Sequence, residues 1–175
     1  MHYCSIIIKP KSMSVAEARE LAGEFLVRHG VADWYSTGNY RERLFYELDQ
    51  DGKENYESER KRTVSIKEFS KYWEVWKENL KEIPENEEYI FNNCWEFFTI
   101  SKEEDYMDNT FLPPDFYEFY VWGDNEKKQE YNNIRRNLIN EYIKGYKLAI
   151  TDLINDFLES EDCDDFEVVL LDYHN

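Results

Sequence analysis

Two hydrophobic periods alternate along this chain, and the places where one gives way to the other mark its elements. Cys4 to Lys9 is β-branched and ends at Pro10, which predicts a strand. Ser14 with Glu17 forms a capping box, and Ala18, Leu21, Ala22, Phe25 and Leu26 recur at helical spacing up to Gly30, placed to end the helix. His29 sits in the last turn of that helix, where a cation suits the helix dipole. Asp33 to Thr37 predicts a short strand running into a turn at Gly38-Asn39. Leu44, Tyr46 and Leu48 alternate with Phe45 and Glu47 as a second extended segment, closed by Asp49-Gln50-Asp51-Gly52.

After a polar loop from Lys53 to Arg62, Ser65 and Glu68 form another capping box. Phe69, Trp73, Trp76 and Leu80 then give a helical stripe that stops before Pro84. From Pro84 to Ser101, the residues Tyr89, Ile90, Phe91, Trp95, Phe97 and Phe98 fit a buried helix followed by a short strand, a choice periodicity alone does not settle. Phe116 to Trp122 predicts a strand between Pro113-Pro114 and Gly123-Asp124. A long helix follows from about Glu126 to Leu158, with Tyr131, Ile134, Leu138, Tyr142, Ala149, Leu153 and Phe157 along its apolar face and a bend at Gly145. Phe166 to Tyr173 is the last strand.

Setting residues 53–112 aside leaves strand–helix–strand twice over. That order predicts an α+β fold, a ferredoxin-like split βαβ sandwich with its first and last strands side by side. Residues 53–112 are then a large helical insertion, and residues 1–175 form a single domain. Composition agrees with a folded chain, because 17% aromatic residues supply a core despite 34% charged ones. No stretch has the apolar length of a membrane span or of a signal segment. Cys4, Cys94 and Cys163 are three, far apart and without Cys-x-x-Cys spacing, so a disulfide framework and structural zinc are both poorly supported. The expected compartment is cytoplasmic.

Charge changes the picture most. The net charge is −17, and residues 81–124 carry two basic against twelve acidic groups while residues 159–175 carry none against seven. These two segments hold the whole surplus. If they meet after folding, Glu103, Glu104, Asp105, Asp108, Glu161, Asp162, Asp164 and Asp165 would present carboxylates to a lysine- and arginine-lined groove, much as a nucleic acid does. An ordinary solvated acidic surface has the same composition. Direct nucleic-acid binding and anionic-membrane binding are disfavoured by the same charge. The basic cluster Arg60-Lys61-Arg62 is offset by Glu57 and Glu59.

Candidate chemistry is sparse. Glu47, Asp49, Asp51 and Gly52 have the opening spacing of a calcium loop, but Ser58 stands where the bidentate glutamate belongs, so a hairpin turn is expected. His2, Cys4, Asp172 and His174 would converge if the terminal strands are antiparallel neighbours, and two imidazoles with a thiolate or carboxylate can hold zinc or iron. No phosphate-cradling glycine loop and no Gly-x-Ser-x-Gly occurs. The expectation is therefore no catalytic residue, no bound metal and no cofactor. Trp34, Tyr35, Trp73 and Trp76 are expected in the core.

The stretch Asp33-Trp34-Tyr35-Ser36-Thr37-Gly38-Asn39-Tyr40, with Leu171-Asp172-Tyr173-His174 far downstream, resembles a set of uncharacterised bacterial and phage proteins. Those carry Asp-Trp-aromatic-x-x-Gly-Gly-Arg-Trp after a first helix and a last strand ending in Asp-x-His. Asn39 and Tyr40 depart from that pattern, and only the two ends of the chain take part. The resemblance implies a phage or mobile-element setting and no particular activity. In size and charge the chain is also similar to acidic antirestriction and anti-CRISPR inhibitors. The expected function is an acidic, non-enzymatic inhibitor that occludes a basic nucleic-acid-handling protein. The alternatives are an immunity protein against a basic toxin, and a small enzyme or metal-binding domain built on the terminal histidines.

Overall fold

The structure is a computed structural model that describes residues 2–39, 41–80, 95–103, 107–111 and 125–175. Its spine is a mixed β-sheet of strands β1 (His2–Pro10), β2 (Trp34–Tyr35), β3 (Thr63–Ser65), β4 (Glu96–Ile100), β5 (Met107–Phe111) and β6 (Phe166–His174). Three helices pack on it: α1 (Val15–Arg28), α2 (Ile66–Asn79) and α3 (Asn125–Glu159). β1 and β6 run antiparallel over their full lengths, from His2↔His174 to Pro10↔Phe166, so the terminal strands are neighbours as expected. Among the described residues no helix is long and apolar enough to cross a membrane.

Both faces of this central pair are covered, which is why the strands read as near-continuous apolar runs. Ile7, Val169, Leu171 and Phe98 face α1, against Ala18, Ala22 and Leu26. Cys4, Ile6, Ile8, Val168 and Leu170 face α2 and α3, against Phe69, Trp73, Ile143 and Tyr146. Each buried isoleucine of β1 contributes about 1.5–3 kcal/mol of transfer free energy. Local signals place the helices. The capping box of α1 is complete, with the Ser14 and Glu17 side chains each bonded to the other's backbone. At its far end Gly30 takes φ +70°, while Gly30 N–H donates to Val27 and Val31 N–H to Leu26, the paired bonds of a glycine-terminated helix. Ser65 caps α2 in the same way, but the Glu68 carboxylate turns to Lys61 at 2.9 Å, so that box is half-formed.

Three expectations change. Residues 53–112 are not a helical insertion, because β3, α2, β4 and β5 lie within them and β4 is the other neighbour of β1. The β1–β4 pair is parallel, which the long connection through α1 and α2 permits. The sheet order is therefore β5-β4-β1-β6, with β2 and β3 sharing the outer edge of β6, and this is not the all-antiparallel order of a four-stranded split βαβ sandwich. Residues 44–48 form no named strand; they are held by isolated bridges, Phe45↔Lys61 and Leu48↔Glu54. The buried stripe of α3 is Ile139, Ile143, Tyr146, Ile150 and Ile154; of the expected face, Tyr142, Leu153 and Phe157 pack against it half-buried, whereas Ile134, Leu138 and Ala149 are exposed. Two apolar stripes compete on that helix, and the one richer in isoleucine meets the sheet. The expected strand at 116–122 lies outside the described residues.

Candidate functional site

Four of the acidic residues singled out from sequence lie at the end of the sheet where β6 begins. Glu161, Asp162, Asp164 and Asp165 are all exposed, on the turn that leads through Cys163–Asp165 into β6. Lys102, in the turn after β4, reaches Asp162 at 2.6 Å and Asp165 at 2.7 Å, which brings exposed Glu103 beside them. Lys67 pairs with Asp164 at 3.3 Å, and the buried Lys9 ammonium pairs with Glu167 at 2.5 Å. Lys102 holds the Asp165 carboxyl below its ordinary range by hydrogen bonding. Asp108 is placed in β5 opposite Thr99, and Glu104 and Asp105 lie outside the described residues. Among the described acids of this turn, three are thus matched by lysines.

The opposite end of the same strand pair is built differently. β2 pairs with His174 and Tyr173, and β3 begins only at Val169, so the edge of β6 is open at Leu170. Arg19 of α1 fills the gap. Its side chain is 1% exposed, Nε donates to the Leu170 carbonyl at 2.9 Å, and the terminal nitrogens donate to Glu42 at 2.7 Å and to the Arg43 carbonyl. Arg62 grips Glu42 as well, at 3.2 Å. Phe45 anchors the same segment by inserting against Phe69, Tyr72 and Trp76, with two backbone bonds to Lys61. Residues 41–46 are therefore held over the α2–α3 face of the sheet.

Between that segment and the sheet lies a cavity of about 440 Å³, lined among others by Cys4, Asp172, Arg41, Arg43, Arg60 and Trp76. Asp172 is 2% exposed and accepts from Arg43 Nε at 3.1 Å and from His2 Nδ1 at 3.1 Å. A carboxylate only accepts, so the His2 proton sits on Nδ1 and Nε2 is left to accept from Arg41 Nη1. Arg60 lies over the Tyr46 ring, 5.0 Å from its centre, and has no carboxylate partner among the described residues. With Arg19 and Arg62, five of the chain's eight arginines converge here. Asn39 and Arg41 both take positive φ, 71° and 57°, and the arginine stores strain of order 1 kcal/mol or more.

A neighbouring pocket, which shares His2 and Arg41 with this cavity, is lined by His2, Asp33, Trp34, Arg41 and His174. His174 Nδ1 donates to Asp33 at 2.8 Å, and the two imidazoles stand 5.3 Å apart. The four terminal residues His2, Cys4, Asp172 and His174 are adjacent in register as anticipated, but each histidine is committed to a different carboxylate. Burial pushes the Cys4 thiol up to about 12, so it stays protonated at neutral pH. Among the described residues no group of three or more His, Cys, Asp or Glu is arranged to hold a metal ion. The Glu47–Gly52 segment closes as a turn, with Asp49 Oδ1 accepting from Asp51 and Lys53 N–H at 2.9 Å.

On the α1 face of the same end, Glu96 is 2% exposed and accepts from Tyr173 Oη at 2.5 Å and Ser5 Oγ at 3.1 Å. Burial raises its carboxyl to about 7. Of the aromatics expected in the core, Trp73 is buried, Tyr35 and Trp76 are half-buried, and Trp34 is 40% exposed in the neighbouring pocket. The arginine cavity went unnoticed in the sequence because Arg41, Arg43 and Arg60 are diluted there by neighbouring glutamates. A usable signal existed: the Asp33–Tyr40 stretch and the Leu171–His174 ending, singled out from opposite ends of the chain, meet through β2–β6 pairing. Comparison of the chain with family models, with curated proteins and with solved structures found no match.

Proposed function

We propose that this protein binds a small anion in the arginine-lined cavity. The observation that carries the reading is the state of two guanidinium groups. In a chain of net charge −17, Arg60 meets an aromatic face and no carboxylate among the described residues, and there Arg43 gives Asp172 its Nε alone. The terminal nitrogens of Arg43 and the fork of Arg60 suit a carboxylate or phosphate, which such forks bind with charge-assisted hydrogen bonds. Arg19 and Arg62, by contrast, serve to hold Glu42. The surrounding acidic field repels long polyanions, so the reading favours a small ligand. A ligand that binds only the folded state raises the melting temperature. Inorganic phosphate should therefore stabilise the wild-type chain more than chloride at equal ionic strength. The double substitution Arg43→Ala with Arg60→Ala should abolish the difference. Equal melting in both salts for the wild type sinks the reading.

A second reading, the acidic inhibitor of a basic nucleic-acid-handling protein, is favoured by one contact. Lys102, the sequence neighbour of Glu103, pairs with Asp162 and Asp165, so the described 101–103 turn meets the Glu161–Asp165 turn. In this reading the acidic end occupies a nucleic-acid groove on a phage-defence nuclease or, as an immunity protein, on a toxin. Binding to such a protein should compete with duplex DNA and weaken steeply with salt. A variant carrying Glu161→Gln, Asp162→Asn, Asp164→Asn and Asp165→Asn that still inhibits fully contradicts it.

A further inference from the structure

The arginine-lined cavity does not end at its cationic wall. Trp76, Trp95 and Glu54 line it and also line a second cavity of about 180 Å³, which continues toward Ile6, Trp73, Leu80 and Tyr146. The two spaces therefore share a boundary made of two indoles and one carboxylate. Trp76 and Trp95 pack edge to face, with ring centres 4.7 Å apart, and Trp76 is backed by Phe45, whose ring is nearly parallel at 8°. Phe69 and Tyr72 also pack on Trp76, which fixes the indole in place. From the arginines of the first cavity to the second, the lining runs from guanidinium groups, through indoles, to an aliphatic and aromatic end.

We infer that the ligand is a nucleoside monophosphate, with its phosphate on Arg43 and Arg60 and its base against Trp76 and Trp95. This rests on the anion-binding reading above and narrows it. A space of 440 Å³ lies within the range of ordinary small-molecule sites. An anionic head joined to a flat ring matches the order of the lining groups, and base–indole stacking tolerates any base because each has a π-face. Glu54 adjoins the indoles and accepts the N–H groups on a base edge. The count of charges limits the phosphate. With Glu42 already paired to Arg19 and Arg62, the lining sets Arg41, Arg43 and Arg60 against Glu54 and Asp172, a surplus of one positive charge that suits one phosphate and not the charge of a triphosphate.

The test is calorimetric titration of the full chain with inorganic phosphate, adenosine, adenosine monophosphate and adenosine triphosphate, all at one ionic strength. The monophosphate should bind at least about tenfold more tightly than inorganic phosphate, because stacking adds to the charge contact. It should also bind more tightly than either adenosine or the triphosphate. Trp76→Leu should remove the advantage over phosphate while leaving phosphate binding in place, and Arg60→Ala should weaken both. Equal affinity for phosphate and the monophosphate, or preference for the triphosphate, overturns this inference and leaves anion binding standing. Absence of binding by both phosphate and the monophosphate overturns the two together. Because the ligand comparison is made on the wild-type chain, it decides the matter even if Trp76→Leu fails to fold.

Discussion

The two ends of the β1–β6 pair handle charge in opposite ways. Where β6 begins, exposed carboxylates meet exposed lysines: Lys102 with Asp162 and Asp165, and Lys67 with Asp164. Where β6 finishes, arginines meet carboxylates that are buried or nearly so, with Asp172 at 2% and Glu42 at 11% exposure. The first kind of pair is screened by water and salt and contributes little to stability. The second kind is held in low dielectric, where removing one partner strands the other. A sequence count of charges sees the first end. The structure gives greater consequence to the second.

The sharpest way to break this contrast is Arg19→Ala. It leaves the Leu170 carbonyl without its donor and Glu42 with only the more exposed Arg62, and should cost about 3 kcal/mol or more in urea unfolding. Arg19→Lys should recover only part of that loss, since an ammonium cannot span carbonyl and carboxylate with a planar fork. A loss below about 1 kcal/mol for Arg19→Ala would remove the claim that this residue staples the strand edge.

Glu96 gives a pH-dependent test at the same end. Its carboxyl titrates near 7 in the fold against an ordinary value of 4.5, so the folded chain keeps a proton that the unfolded chain has released. The stability tied to this group is full below pH 4.5 and is lost as pH rises through about 7. Glu96→Gln keeps the shape and hydrogen-bonding capacity toward Ser5 and Tyr173. Above pH 7 it should be more stable than the wild type by roughly 3 kcal/mol, with the difference closing toward acid pH. Urea melts across that range that show a constant difference would contradict the assignment. The smallest effect belongs to the acidic end, where Lys102→Met should leave the urea midpoint unchanged within error.

Much of the scaffold was legible because local signals decide it. Ser14, Glu17 and Gly30 bound α1 as read, Ser65 caps α2, and the terminal strands pair as their apolar runs suggest. The sheet order was not legible, because nothing in residues 96–100 distinguishes a neighbour of β1 from an inserted strand; only the parallel crossover reveals it. The face of α3 was legible in part, since Tyr142, Leu153 and Phe157 pack on the core, but Leu138 and Ile139 both belong to plausible stripes, and contact with Trp73 and the sheet selects Ile139 and Tyr146. The cavity was hidden for a different reason. Arg19, Arg43, Arg60 and Asp172 come from four separate segments, and only the open edge of β6 gives them a common place.

Equilibrium dialysis of the full chain against labelled inorganic phosphate at low ionic strength addresses the arginine cavity most directly. One phosphate should bind per wild-type chain, and none at the same concentration once Arg43→Ala and Arg60→Ala are combined in a folded variant. No binding by the wild type, or undiminished binding by that variant, would contradict the account.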